Sequence, residues 1–163
     1  MKLFERLIRT PDAIHLTVLR LILGIIFFAH GAQKTLGLFG GYGFAGTMNF
    51  FTGTMHIPEP LAFLAIMAEF VGGIALILGV ASRLAALSIS VNMIVAIMMV
   101  HAQNGLFMNW TGAQKGEGFE YHLLAIATAI PIIIHGSGAL SIDGVVAQYR
   151  IRGLRTDALS SVR

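Results

Sequence analysis

The chain has 163 residues, 56% of them hydrophobic and 12% charged, with a mean hydropathy of +0.78; a soluble domain is about 25% charged, so an ordinary water-soluble globule is excluded and a lipid bilayer is the expected surrounding. There is no cysteine, which excludes disulfides, thiol catalysis, iron–sulfur clusters and Cys-ligated zinc. The net charge of +3 comes from basic residues gathered near the chain ends, a pattern that suits an anionic membrane surface and argues against nucleic acid as a partner.

Residues 1–13 hold no continuous apolar run and no small-residue cleavage site, so no signal peptide is expected. Leu3, Phe4, Leu7 and Ile8, with Lys2, Arg6 and Arg9 opposite, predict a short interfacial helix. Four apolar runs follow, at 14–31, 61–81, 84–101 and 122–138. Each has about 17–21 residues, enough to cross a hydrocarbon core of about 30 Å. They predict an all-α membrane protein, a four-transmembrane-helix bundle in one domain over 1–163 with a basic tail at 144–163. Pro131 falls in the fourth run, where neighbours must satisfy the carbonyl it frees.

The connections orient the runs. Lys2, Arg6 and Arg9 precede the first, Arg83 lies in the very short second connection, and Arg150, Arg152, Arg155 and Arg163 follow the fourth. The other two connections hold Lys34 and Lys115. The positive-inside rule puts both termini on the cytoplasmic side of the inner membrane. The first outer connection, 33–60, is rich in glycine (Gly37, Gly40, Gly41, Gly43, Gly46) and carries Phe44, Met48, Phe50, Phe51 and Met55. It is expected to lie in the interface or dip into the bundle mouth, stopping and restarting at Ile57-Pro58-Glu59-Pro60. In the second outer connection, 103–121, Trp110 and Tyr121 are expected to anchor at the interface. The outgoing runs end in HGAQK and HAQNG and the returning ones carry Glu69-Phe70 and Glu120-Tyr121, an echo that would suit a two-plus-two repeat.

Two charges, Arg20 and Glu69, sit inside apolar runs, where each costs roughly 2.5–3.5 kcal/mol on insertion scales. Helical rise places Arg20 about 9 Å, Asn92 about 12 Å and Glu69 about 18 Å from the cytoplasmic edge, so the three are expected in one buried network. An ion pair that merely fixes helix register explains them equally well. His30, His101 and His122 fall at the outer edge, Lys34 is one turn beyond His30, and Glu120 adjoins the fourth run. His30, Lys34, Glu69, His101, Glu120 and His122 are therefore expected to line one outward-opening pocket, although each singly is ordinary at a headgroup boundary. His15, His56 and His135 read as interface or loop residues. Ala65, Glu69 and Gly73, and likewise Ala68 and Gly72, are spaced for close helix approach and turn Glu69 inward. The eight methionines read as packing, not copper ligands, and no nucleotide-binding, serine-hydrolase or H-E-x-x-H pattern occurs.

Several motifs together resemble the DoxX family over residues 19–143. They are R-x3-G-x5-HG-x2-K (Arg20, Gly24, His30, Gly31, Lys34), GLFGGYG, the IPEPL turn, E-x2-GG-x5-G-x3-R (Glu69, Gly72, Gly73, Gly79, Arg83), and Glu120-Tyr121 followed by G-x-G-x2-S-x-D (Gly136, Gly138, Ser141, Asp143). The resemblance implies a four-helix inner-membrane protein similar to the small subunit of a thiosulfate:quinone oxidoreductase, or linked to quinone and catechol detoxification and oxidative-stress complexes. On that footing no cofactor is fixed; a quinone is the candidate one, and a redox protein the candidate partner. Glu69, His30 and Arg20 would be catalytic, with Lys34, His101, Glu120, His122 and Asn92 binding substrate and no metal. Haem held by two histidines would need two of His30, His101 and His122 to face each other. Two alternatives stand beside this: a non-enzymatic membrane anchor or scaffold subunit for a redox partner, and a small-solute or proton carrier.

Overall fold

A computed structural model describes residue 5 and residues 7–150. Of the expected interfacial helix, Leu7 and Ile8 are helical, while Lys2, Leu3, Phe4 and Arg6 lie outside the described residues, as does the tail beyond 150. Among the described residues all regular structure is helical.

The first helix, α1 (Ile14–Leu36), has 23 residues. It runs past the expected stop at Gly31 by more than a turn and ends where Gly37 takes φ 70° and returns its N–H to Ala32 O, a left-handed cap that glycine adopts without strain. A short turn leads to α2 (Gly43–Asn49), which widens into a π turn over Phe50–Thr54. This glycine-rich segment packs against α1 and α3. A side chain at Gly41 would collide with the backbone of Gln33, and Phe44 meets Phe63 edge-on at 6.2 Å.

α3 (Glu59–Leu78) starts with Pro60 in its first turn and stops at Gly79, again at φ 70°. Both choices are local: proline costs nothing where the N–H has no acceptor, and glycine closes the last turn. α4 (Ser82–Ala96) continues through a π turn at Ile97–His101 and a tight turn at Ala102–Asn104. α5 (Glu120–His135) is shorter, with 16 residues and Pro131 inside it. Residues 142–150 are helical again.

Three stretches, Ile14–Leu36, Glu59–Leu78 and Ser82–Asn104, are long and apolar enough to cross a membrane. α5 is apolar but spans only about 24 Å at 1.5 Å per residue, because Gly136 (φ 97°) breaks it just after His135. The helices close a ring in which α1 packs on α3 and α5, and α4 packs on the same two. Leu23 and Phe27 of α1, Leu76 of α3, Ile89 and Met93 of α4, and Ala129 and Ile132 of α5 share one core. The opposite faces are apolar too: Leu84, Leu87, Val91 and Ile94 of α4 and Met98 of the π turn that continues it are all exposed. This stripe at three- and four-residue spacing faces outward, as a surface solvated by lipid would.

The α1–α3 crossing is close. A side chain at Gly31 would run into the backbone of Phe70 and Glu69, and one at Gly73 into that of Phe28. Gly72 instead faces Ile89 at ordinary contact, 3.5 Å. Adjacent glycines thus serve two different neighbours, and only Gly73 permits a tight backbone approach.

Candidate functional site

Bringing α1 against α3 sets Lys34 on Glu69. Lys34 Nζ donates to Glu69 Oε2, and Asn92 Nδ2 of α4 donates to Oε1 at 2.9 Å. Both carboxylate oxygens are engaged, and the side chain is 5% exposed against 29% for Lys34. The expected link between Glu69 and Asn92 is present, but Glu69's cationic partner is Lys34, because α1 stays helical beyond Gly31 and carries Lys34 over the carboxylate.

Arg20 is not part of that group. It is 1% exposed and lies beside the chain that follows α5. Its Nε donates to Ser137 O at 3.0 Å, Nη2 to Leu140 O at 3.1 Å, and Nη1 to Ile77 O at 2.7 Å and to Leu76 O. These carbonyls belong to the last turn of α3 and to the chain just after α5, where a helix end leaves carbonyls short of internal partners; Leu76 O is shared with the Gly79 N–H at 3.2 Å. A cation there is also favoured by the helix dipole. Asp143 adds a counter-charge while its carboxylate caps α4 through the N–H groups of Ala81 (2.9 Å) and Ser82 (3.2 Å). Gly138 (φ 75°), Ser141 and Asp143 therefore build a knot that closes the helix ends.

The histidines divide as well. His101 and His122 lie with ring centroids 4.1 Å apart and their planes tilted by 44°. His101 Nδ1 donates to Glu117 O at 2.8 Å, which leaves Nε2 as its free nitrogen. With metal–nitrogen bonds of about 2 Å, two histidines holding a haem iron between them would sit farther apart than these two rings do. His30 is exposed, but its ring lies 6.0 Å from Tyr121 and 6.5 Å from Phe27. His15, His56 and His135 are all exposed, away from the group.

Glu120 is engaged elsewhere. Its Oε1 accepts from Met108 N at 3.0 Å and Trp110 Nε1 at 3.1 Å, so it fastens the connection before α5. It is also the first residue of α5, whereas Glu69 lies in the middle of α3. The two glutamates are not equivalent, and the echo between the halves is not carried into the structure at these positions.

Tyr121 was expected as an interface anchor beside Trp110. Trp110 is 86% exposed, but Tyr121 packs against Phe27, His30 and His122. Its buried hydroxyl makes no hydrogen bond to protein, and neither does the buried Nδ1 of His122. Buried polar atoms are nearly always paired, so two such atoms on neighbouring residues need an explanation. Glu69 is close enough to act on Tyr121 through its charge, and Lys34 on His122. The ion pair and the aromatic–histidine group thus lie near one another, carried by α1, α3, α4 and α5.

The DoxX family model matches residues 15–102. A Bacillus subtilis protein named "Putative oxidoreductase CatD" is 29% identical over 136 residues, which cover 83% of this chain and 90% of the relative. An uncharacterized Haemophilus influenzae protein is 30% identical over 134 residues, 78% of this chain and 87% of that one. No solved structure matches the chain.

Proposed function

The chain belongs to the DoxX family, and from that premise we propose that it is a multi-pass inner-membrane protein that binds a quinone and exchanges protons with it, as an oxidoreductase or the membrane subunit of one. Both termini lie on the cytoplasmic side in this reading, supported by Arg9, Arg83 and Arg150 at one end of the helices. α5 is the fourth crossing, its short length met by local thinning of the bilayer. The observation that carries the proposal is the site itself: an intramembrane ion pair beside the unpartnered Tyr121 hydroxyl and His122 Nδ1.

A bound quinone supplies two-electron, two-proton chemistry. The chain supplies binding and proton handling. Tyr121 Oη donates a hydrogen bond to a carbonyl oxygen, and His122 Nδ1 donates or accepts according to its tautomer. The Lys34 ammonium favours negative charge developing beside it. Glu69, which accepts hydrogen bonds from Lys34 and Asn92, is the carboxylate placed to exchange a proton with the site. His30 and His101, nearer the surface, pass protons to and from the outer side. The electrons come from a redox partner protein, since the sequence carries no motif for an electron carrier. The name of the Bacillus subtilis relative supports an oxidoreductase reading.

The anchor or scaffold reading keeps one specific support: both Glu69 oxygens are already engaged, as a static register device requires. Binding of decylubiquinone to the purified protein in lipid nanodiscs separates the two. Glu69→Gln is expected to weaken binding about tenfold, equivalent to about 1.4 kcal/mol. Unchanged affinity in a folded variant would favour the anchor reading.

A further inference from the structure

Beside the site, α1 and α5 part to leave an apolar groove of about 340 Å³. Leu23, Phe27 and Ala125 are buried in its floor, and Ile22 and Leu124 stand exposed on its lip. Its α1 residues lie near the middle of a 23-residue helix, so the groove opens sideways at the depth of acyl chains and not toward water. Its polar lining is slight: the Thr128 hydroxyl is spent on Leu124 O at 2.7 Å. At the other end stands Tyr121, with the unpartnered hydroxyl. Tyr121 and Phe27 thus belong both to the groove and to the ring cluster around His30.

We propose that this groove holds the hydrocarbon tail of a membrane-dissolved quinone, entering sideways from the bilayer with its ring carbonyl on the Tyr121 hydroxyl. The proposal rests on the quinone reading above and narrows it to long-tailed quinones, as against small water-soluble quinones arriving from the outer side. The volume lies at the low end of the about 300–1,000 Å³ typical of ligand pockets, which suits a tail segment and not a whole ligand. A phospholipid acyl chain fits the apolar walls equally well, but brings no acceptor to a phenol at the groove's end. A quinone places a carbonyl next to the carbon that bears its tail.

The experiment compares two probes on the full chain in nanodiscs: decylubiquinone and its tail-less headgroup, 2,3-dimethoxy-5-methyl-1,4-benzoquinone. The unaltered protein is expected to bind the decyl probe at least tenfold more tightly. Ala125→Trp, which fills the floor, abolishes that advantage and leaves headgroup affinity within twofold. Thr128→Phe, at the less buried end, repeats the measurement should the tryptophan disturb packing. A tail advantage that survives in both variants, or none in the unaltered protein, overturns the groove assignment and leaves the quinone site standing. Binding of neither probe overturns the quinone reading itself. A phospholipid that co-purifies with the unaltered protein, is lost on Ala125→Trp and is not displaced by the decyl probe assigns the groove to an acyl chain and overturns the proposal.

Discussion

Lys34 and Arg20 are both cations on one helix, and the structure gives them different tasks. Lys34 neutralises Glu69; Arg20 gathers four backbone carbonyls. Removing one member of a fully buried ion pair costs about 3–5 kcal/mol, and the partial exposure of Lys34 lowers that figure. Lys34→Met should therefore destabilise the protein by a smaller amount, about 1–3 kcal/mol. The double variant Lys34→Met with Glu69→Gln should be more stable than the two single losses added together. Thermal unfolding in one detergent checks both, and simple additivity would show that the pair is not coupled. Arg20→Lys keeps the charge but loses the planar fork that reaches several acceptors at once. It should lower the melting temperature and leave decylubiquinone affinity unchanged in the folded fraction. A selective loss of affinity would return Arg20 to the site.

The packing of α1 on α3 is what positions the ion pair. Gly31→Val should force the two backbones apart and drop both folded yield and quinone affinity, since any Cβ at Gly31 meets the backbone of α3. Gly72→Ala, one residue from Gly73 but facing an Ile89 side chain at 3.5 Å, should be tolerated with little change in melting temperature. Equal damage from the two would refute the close-crossing account. At this scale the sequence was partly legible. Apolar runs found the helices, and axial rise put Glu69 and Asn92 within reach of each other. Rise carries no information about which way a side chain points round its helix, so depth alone groups Arg20 with Glu69, whereas it faces the end of α3 and the chain after α5. Gly79, Gly136 and Gly138 were the available signal, since chain breaks near the level of Arg20 free the carbonyls it binds. Tyr121 was misplaced because an aromatic residue at a helix start reads the same whether it faces headgroups or a cluster of rings.

For the whole molecule, the short α5 decides the topology. The absence of cysteine makes single-cysteine labelling direct. Trp110 and Tyr149 are 86% and 71% exposed, on either side of α5. Trp110→Cys is expected to react with an impermeant maleimide from the outer side of spheroplasts, and Tyr149→Cys only after permeabilisation. Labelling of both from one side would mean that α5 does not cross. The clamp around Arg20 also imposes an order on synthesis. α1 is the first of the crossing helices to leave the ribosome, yet two of its arginine's acceptors, Ser137 O and Leu140 O, are among the last residues made before the tail. Until then only the carbonyls at the end of α3 are available to the guanidinium. A chain stopped short of residue 137 lacks two of the four acceptors, so its clamp cannot close.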